Sequence, residues 1–234
     1  MPARAEQVDA VGVLRETELF GSLDERELTA VATSCLRRTY GKGQYLCHQG
    51  DPGDRLFVLA RGIAKVTFVS ERGAEMVLAT LGPHGIAGEI AILDQGPRSA
   101  SVVAVLPTTA LMLSRSVLLE LMGAHPAVLN ALLTRLGALV RRRTEQAGDL
   151  VFLDLGARLA KLLLQLAVEH GRHDGDRVVL ELGLNQSELA GMVGGSRPAV
   201  NRVLHVLAAR GQVEVSGHTI TLCDLPALRR RAGG

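Results

Sequence analysis

Between Leu36 and Ser114 the chain cannot run far in any one direction. Short runs rich in aliphatic and β-branched residues, at Tyr45–Cys47, Leu56–Ala60, Ala64–Ser70, Met76–Leu81, Ala100–Val105 and Ala110–Leu113, are cut apart by glycine, proline and aspartate. The cuts fall at Gly41-Lys42-Gly43, Gly50-Asp51-Pro52-Gly53-Asp54, Arg61-Gly62, Glu71-Arg72-Gly73 and Gly82-Pro83. Glycine reaches left-handed backbone angles without a steric penalty and proline fixes φ, so each cut reads as a turn. Many short strands joined by tight turns predict a small antiparallel barrel or roll. With four phenylalanines, two tyrosines and no tryptophan, its core has to be aliphatic.

Both flanks read as helix. Residues 10–35 predict short helices with apolar contacts from Leu14, Leu19, Leu28 and Val31, and Ser22 or Asp24 as a cap. Residues 115–153 turn helical again. After Pro126, the positions Leu129, Leu133, Leu136, Val140, Arg143, Ala147 and Leu150 alternate spacings of four and three, a heptad seam. A helix of about 27 residues spans ~40 Å. Its simplest partner is a second copy in a parallel dimer; the alternative is a core helix of a monomer. Asp154 is placed to cap a further helix running to about His170 through Leu159, Leu162, Leu163 and Leu166. Gly171–Asp176 reads as a polar loop and Arg177–Leu182 as a strand. The expected partition is 10–125, 126–153 and 154–234, within an α+β fold.

Residues 88–101 carry the first chemistry. Glu89 and the pair Arg98-Ser99 stand at the two ends of a turn-rich segment in which Gly85, Gly88 and Gly96 let backbone approach a ligand. Arginine and free backbone N–H groups suit a phosphate, and a carboxylate suits ribose hydroxyls. The combination points to a cyclic nucleotide.

The second chemistry begins at Asn185-Gln186-Ser187-Glu188, which has capping-box form. A helix follows through Leu189, Ala190 and Val193, and Gly194-Gly195-Ser196 breaks it. A second helix then turns Val200, Val203, Leu204 and Leu207 inward. Small Ala190 and Gly194 permit a close crossing, the geometry of a helix-turn-helix. The outer face shows Arg197, Asn201, Arg202 and His205, with Arg210 near the end and no acid between Arg197 and Gly211. Such side chains read base edges and hold phosphates. Gln212–Ser216 and Thr219–Leu222, joined by Gly217-His218, read as the hairpin of a wing.

Other classes find less support. The formal net charge of +2 makes a nucleic-acid surface a local matter. Cys35, Cys47 and Cys223 lack metal-ligand spacing and read as buried reduced thiols; no metal site and no catalytic nucleophile–base arrangement stands out. No apolar run reaches the ~20 residues of a membrane helix, and Met1–Glu6 lacks a signal-peptide core, so the expected location is cytoplasmic with no membrane partner. Arg229-Arg230-Arg231 reads as a frayed basic tail.

In their order and spacing these motifs resemble the cyclic-AMP receptor protein (catabolite activator)/fumarate-nitrate regulator family of bacterial transcription regulators, from about residue 14 to 226. Gly88-Glu89 with Arg98-Ser99, Phe152-Leu153-Asp154, and Ser196-Arg197 with Arg202 carry the resemblance most specifically. It implies an N-terminal β-roll of the cyclic-nucleotide-binding jelly-roll type, a long dimerisation helix and a C-terminal winged helix-turn-helix. It further implies an effector, cyclic AMP, held by Gly88, Glu89, Ile90, Arg98 and Ser99, with Arg143 and Thr144 at the positions that face the base. Ser196, Arg197, Pro198, Asn201, Arg202 and His205 would face a double-stranded DNA operator, the chain would act as a homodimer, and RNA polymerase is a candidate partner. Cyclic GMP, a cyclic dinucleotide, or DNA binding without ligand are alternatives in the same fold; a nucleotide-binding scaffold module is the alternative of another class.

Two positions depart from that family. Relatives that bind cyclic AMP usually carry threonine followed by serine or asparagine where this chain has Arg143 and Thr144. At a heptad core position two facing arginines repel by ~1–4 kcal/mol at intermediate dielectric. Arg143 therefore either snorkels outward, reads the guanine O6/N7 edge, or splays the ligand-free dimer. Pro198 stands where many relatives have a glutamate that accepts a hydrogen bond from cytosine; proline is welcome in a first helical turn but accepts nothing.

Overall fold

The computed structural model describes residues 8–233; Met1–Glu6, read above for a leader, and Gly234 lie outside them. The chain divides into two compact units, Met1–Val66 with Thr80–Ala138, and Thr67–Ala79 with Leu139–Gly234.

The first unit opens with α1 (Ala10–Arg15) and α2 (Glu25–Ser34). Of the two candidate caps, Asp24 starts α2: its carboxylate accepts from the Glu27 N–H while Glu27 answers the Asp24 N–H, each at 2.8 Å. Then come β1 (Leu36–Tyr40), β2 (Tyr45–Cys47), β3 (Arg55–Arg61), β4 (Ala64–Val69), β5 (Glu75–Leu81), β6 (Ile86–Ala87), α3 (Glu89–Asp94), β7 (Ser101–Ala104), β8 (Thr108–Ser114) and α4 (Arg115–Ala124). The long α5 follows (Pro126–Phe152), and its residues are shared between the units. Two four-stranded sheets form the roll, in the orders β1-β8-β3-β6 and β2-β7-β4-β5.

Strand β3 shows how the sequence sets the layers. Successive side chains of a strand point to opposite faces, and here both faces are covered. Leu56 and Val58 join Leu111 and Leu113 of β8 in a cluster with Leu14, Phe20, Leu28, Leu118 and Leu132 of the helical side. Phe57 and Leu59 point the other way, into the roll with Tyr40, Leu46, Val102 and Ala104. Each fully buried leucine here contributes ~1.5–3 kcal/mol relative to exposure.

The second unit holds the outer part of the β4–β5 hairpin, the rest of α5, α6 (Leu155–His170), β9 (Arg172–Asp174), β10 (Arg177–Leu180), α7 (Gln186–Met192), α8 (Arg197–Ala209), β11 (Val213–Ser216), β12 (Thr219–Leu222) and α9 (Leu225–Arg231). Asp154 caps α6 by accepting from the Ala157 N–H at 2.7 Å, and that bond holds its carboxyl below the ordinary aspartate value.

Four local readings need correction. The segment after Gly88 is the short helix α3 rather than a loop, with Ala91 and Ile92 buried. Residues read as a polar loop after Gly171 contain β9, exposed along its length and held by pairing with β10, so it has no hydrophobic signature. The basic tail is helix α9, pinned by buried Ala227 and Leu228, and Arg231 packs over Gly156 near Asp154. The cysteines are free but half-buried rather than buried; burial pushes the Cys35 thiol up to about 11, so it is not a reactive thiolate. Among the described residues no single helix is long and apolar enough to cross a membrane, and no cluster of His, Cys, Asp and Glu could hold a metal ion.

Candidate effector and DNA sites

In the first unit the chain brings Gly88, Glu89 and Arg98 together. Arg98 is only 5% exposed. Its Nη2 donates to the Arg55 carbonyl at 2.7 Å and its Nη1 to the Gly88 carbonyl at 3.2 Å, while the guanidinium lies 5.2 Å from the Phe57 ring centroid. This approach requires glycine at 88. The residue has φ +93°, a Cβ there would collide with Arg98 Nη1, and it would lie 2.8 Å from the Arg55 carbonyl oxygen. Arg98 Nε is buried and has no hydrogen-bond partner among the described residues. A buried cation held only by carbonyls, with one donor spare, is incomplete without an anion. The site therefore fits a ligand phosphate. Ser99 and Ile90 are exposed beside it.

Glu89 is 8% exposed and has a partner that sequence reasoning missed. Arg135, on α5, places Nε 3.5 Å from Glu89 Oε1 and donates from Nη2 to the Ile86 carbonyl at 2.6 Å. Its Nη1 is 4.0 Å from Glu18 Oε2. The signal was available: Arg135 is the only charged residue between Pro126 and Arg141. A lone charge on an apolar helix stretch calls for a counter-charge.

In the second unit, Arg143 Nη1 donates to the Leu78 carbonyl of β5 at 3.1 Å and to Gln146 Oε1 at 2.8 Å. Burial, then the neighbouring Arg142 charge, lowers its pKa. Thr144 is exposed and bonds back to the Val140 carbonyl. Along α5, Leu129, Leu133, Val140 and Leu150 are 39–65% exposed, Ala147 is exposed, and Leu136 is half-buried.

The reading motif forms as its sequence requires. Asn185 and Glu188 close the capping box of α7. Gly194, at φ +63°, turns the chain where Leu150 packs against it, and Ser196 caps α8 by accepting from the Ala199 N–H. Pro198 sits in the first turn of α8. Val200, Leu204 and Leu207 are buried, Val203 is half-buried, and Arg197, Pro198, Arg202 and His205 are exposed with Asn201 half-buried. A groove of about 430 Å³ runs between the starts of α7 and α8 and the β11–β12 wing, with Arg197 and His218 on its walls.

A buried arginine fit for a phosphate, in a chain that also carries a winged helix-turn-helix, fits the class of effector-responsive DNA-binding proteins. Residues 37–125 match the family described as cyclic nucleotide-binding domain, and residues 157–231 match the Crp-like helix-turn-helix domain. The chain is 31% identical over 220 residues to the CRP-like cAMP-activated global transcriptional regulator of Mycobacterium tuberculosis, covering 94% of this chain and 98% of that one. It is 33% identical over 221 residues to the cyclic AMP receptor protein of Thermus thermophilus, covering 94% and 99%. A CooA variant from Carboxydothermus hydrogenoformans superposes with TM-score 0.75 at 26% identity, covering 94% and 97%. The chain belongs to the CRP family: it is a cyclic-nucleotide-binding transcription regulator.

Proposed function

We propose that cyclic AMP is the effector and that the chain works as a homodimer on palindromic DNA in the bacterial cytoplasm. Glu89 accepts from a ribose hydroxyl, Arg98 and Ser99 hold the cyclic phosphate, and Gly88 and Ile90 shape the floor. The observation that carries this reading is the buried Arg98 guanidinium, anchored by carbonyls beside Glu89 with Nε to spare. The M. tuberculosis and T. thermophilus relatives, one named as cAMP-activated and the other as a cyclic AMP receptor, support the choice of nucleotide.

In this reading residues 10–125 sense, 126–153 pair, and 154–234 bind DNA. Two copies pair through Leu129, Leu133, Leu136, Val140, Ala147 and Leu150, whose exposure in a single chain supports a partner on that face. The effector shifts the equilibrium by its preference for the arrangement in which two α8 helices, about 34 Å apart, enter successive major grooves. There Arg197, Asn201, Arg202 and His205 face bases and phosphates, Ser196 and Pro198 set the entry of the helix, and RNA polymerase is the expected downstream partner.

Calorimetric titration with cyclic AMP, cyclic GMP and cyclic di-GMP tests the reading. Micromolar binding of cyclic AMP that disappears in Arg98→Ala is the expected result. Preference for a guanine nucleotide would reassign the base, and no binding by any of the three would overturn the sensing role.

A further inference from the structure

Arg143 marks the chain's departure from its family's usual pattern, and its hydrogen-bond partners are groups of the protein itself. The Leu78 carbonyl it grips belongs to the outer part of the β4–β5 hairpin. One to three residues earlier that hairpin reaches α7. A Cβ added at Gly191 would lie 3.6 Å from the Cα of Met76, 3.6 Å from the N of Val77 and 3.8 Å from the carbonyl oxygen of Glu75. A methyl group fits at that distance in ordinary van der Waals contact, so hairpin backbone lies close to a bare stretch of the first helix of the helix-turn-helix. One short segment, 75–78, thus touches α5 at one end and α7 at the other.

We propose that Arg143 is a positioning residue that straps the helix-turn-helix to the long helix through the β4–β5 hairpin, and that this strap opposes DNA binding until it is released. The proposal rests on α7–α8 being the DNA-reading element. The approach of segment 75–77 to Gly191 exists only while α7 is seated on the hairpin, and the bond from Arg143 to the Leu78 carbonyl holds that segment against α5. They therefore bias the chain toward that one placement and against any other that an operator requires. Arg143 is held by a carbonyl and an amide rather than a carboxylate. Neutral acceptors give a bond that is exchanged more readily than an ion pair.

Three variants of the full chain test this: Arg143→Ala to cut one end, Gly191→Leu to lift the other, and Gly191→Ala, whose methyl the seat accepts. Affinity is measured without effector, on DNA selected by the wild-type chain from a random pool. Arg143→Ala and Gly191→Leu should each bind more tightly by at least about fivefold, the low end of ordinary coupling between sites. Gly191→Ala should match the wild type, and Arg143→Lys, which keeps a donor, should recover most of the restraint. Hydrogen exchange needs neither DNA nor effector. Amides of 75–78 and 189–193 should exchange faster in Arg143→Ala and Gly191→Leu, with overall helicity unchanged. Unchanged exchange in both segments, or unchanged effector-free DNA affinity in both variants, overturns the strap. If neither the wild-type chain nor Arg143→Ala nor Gly191→Leu selects any DNA, the DNA reading is overturned instead, and the exchange result still decides whether the strap exists.

Discussion

Replacing Arg135 by methionine removes the one charge in the first half of α5 and leaves two groups stranded. The Ile86 carbonyl loses a 2.6 Å charge-assisted hydrogen bond and Glu89 loses the guanidinium 3.5 Å away. The Glu89 side chain is only 10% exposed, so water does not fully replace its lost partner. At 3.5 Å the gross attraction is about 5 kcal/mol at an effective dielectric of 20. Much of that is cancelled by desolvation, but breaking such a pair from one side typically costs about 3–5 kcal/mol because the other charge stays behind. We expect Arg135→Met to lose about 3 kcal/mol, which for a chain of this size is a fall in melting temperature of about 6–12 °C. Glu89→Gln in the Arg135→Met background should then cost less than it does alone. The double-mutant cycle, read by urea unfolding of the sensor unit, should give a coupling energy of about 1–3 kcal/mol. A coupling energy near zero, or an Arg135→Met chain as stable as the wild type, would refute the argument that Glu89 is held ready by α5.

Two further expectations follow from the sites. Gly88→Ala puts a methyl where Arg98 sits, at a backbone angle that costs ~1–2 kcal/mol for any other residue; calorimetry should find effector binding lost while circular dichroism shows a folded chain, and near-normal binding would mean Arg98 is not the anchor. Because Pro198 cannot accept a hydrogen bond from cytosine, DNA selected by the wild-type chain should be relaxed at one base pair of each half-site and tightened there by Pro198→Glu; equal stringency in both would refute it.

Periodicity and turn chemistry made the architecture legible, because strands with two buried faces and capped helices announce themselves locally. Tyr45–Cys47 and the Asn185–Glu188 box fall where the residues put them. Strand β1 was not legible, since Leu36, Arg37, Arg38 and Thr39 are all exposed and the strand is specified by its partner β8. For the same reason β9 passed as a loop. In the effector site, Glu89 and Arg98 could be read from their types, but Arg135 could not be assigned to them: more than thirty-five residues separate it from both, and only the packing of α5 on the sensor unit closes the gap. The heptad pattern placed Arg143 in a seam and said nothing of the Leu78 carbonyl, because a main-chain acceptor leaves no mark in a sequence.

Strand β3 also determines where the gene can grow. Because Leu56 and Val58 serve one core while Phe57 and Leu59 serve the other, a one-residue insertion there exchanges the two sets at a stroke. Neither the helical side nor the roll could compensate for the other. Gly50, Gly73 and Gly175, where an added Cβ meets open space, carry no such double duty. Length variation among relatives, and any epitope or reporter inserted by an experimenter, belongs at those turns.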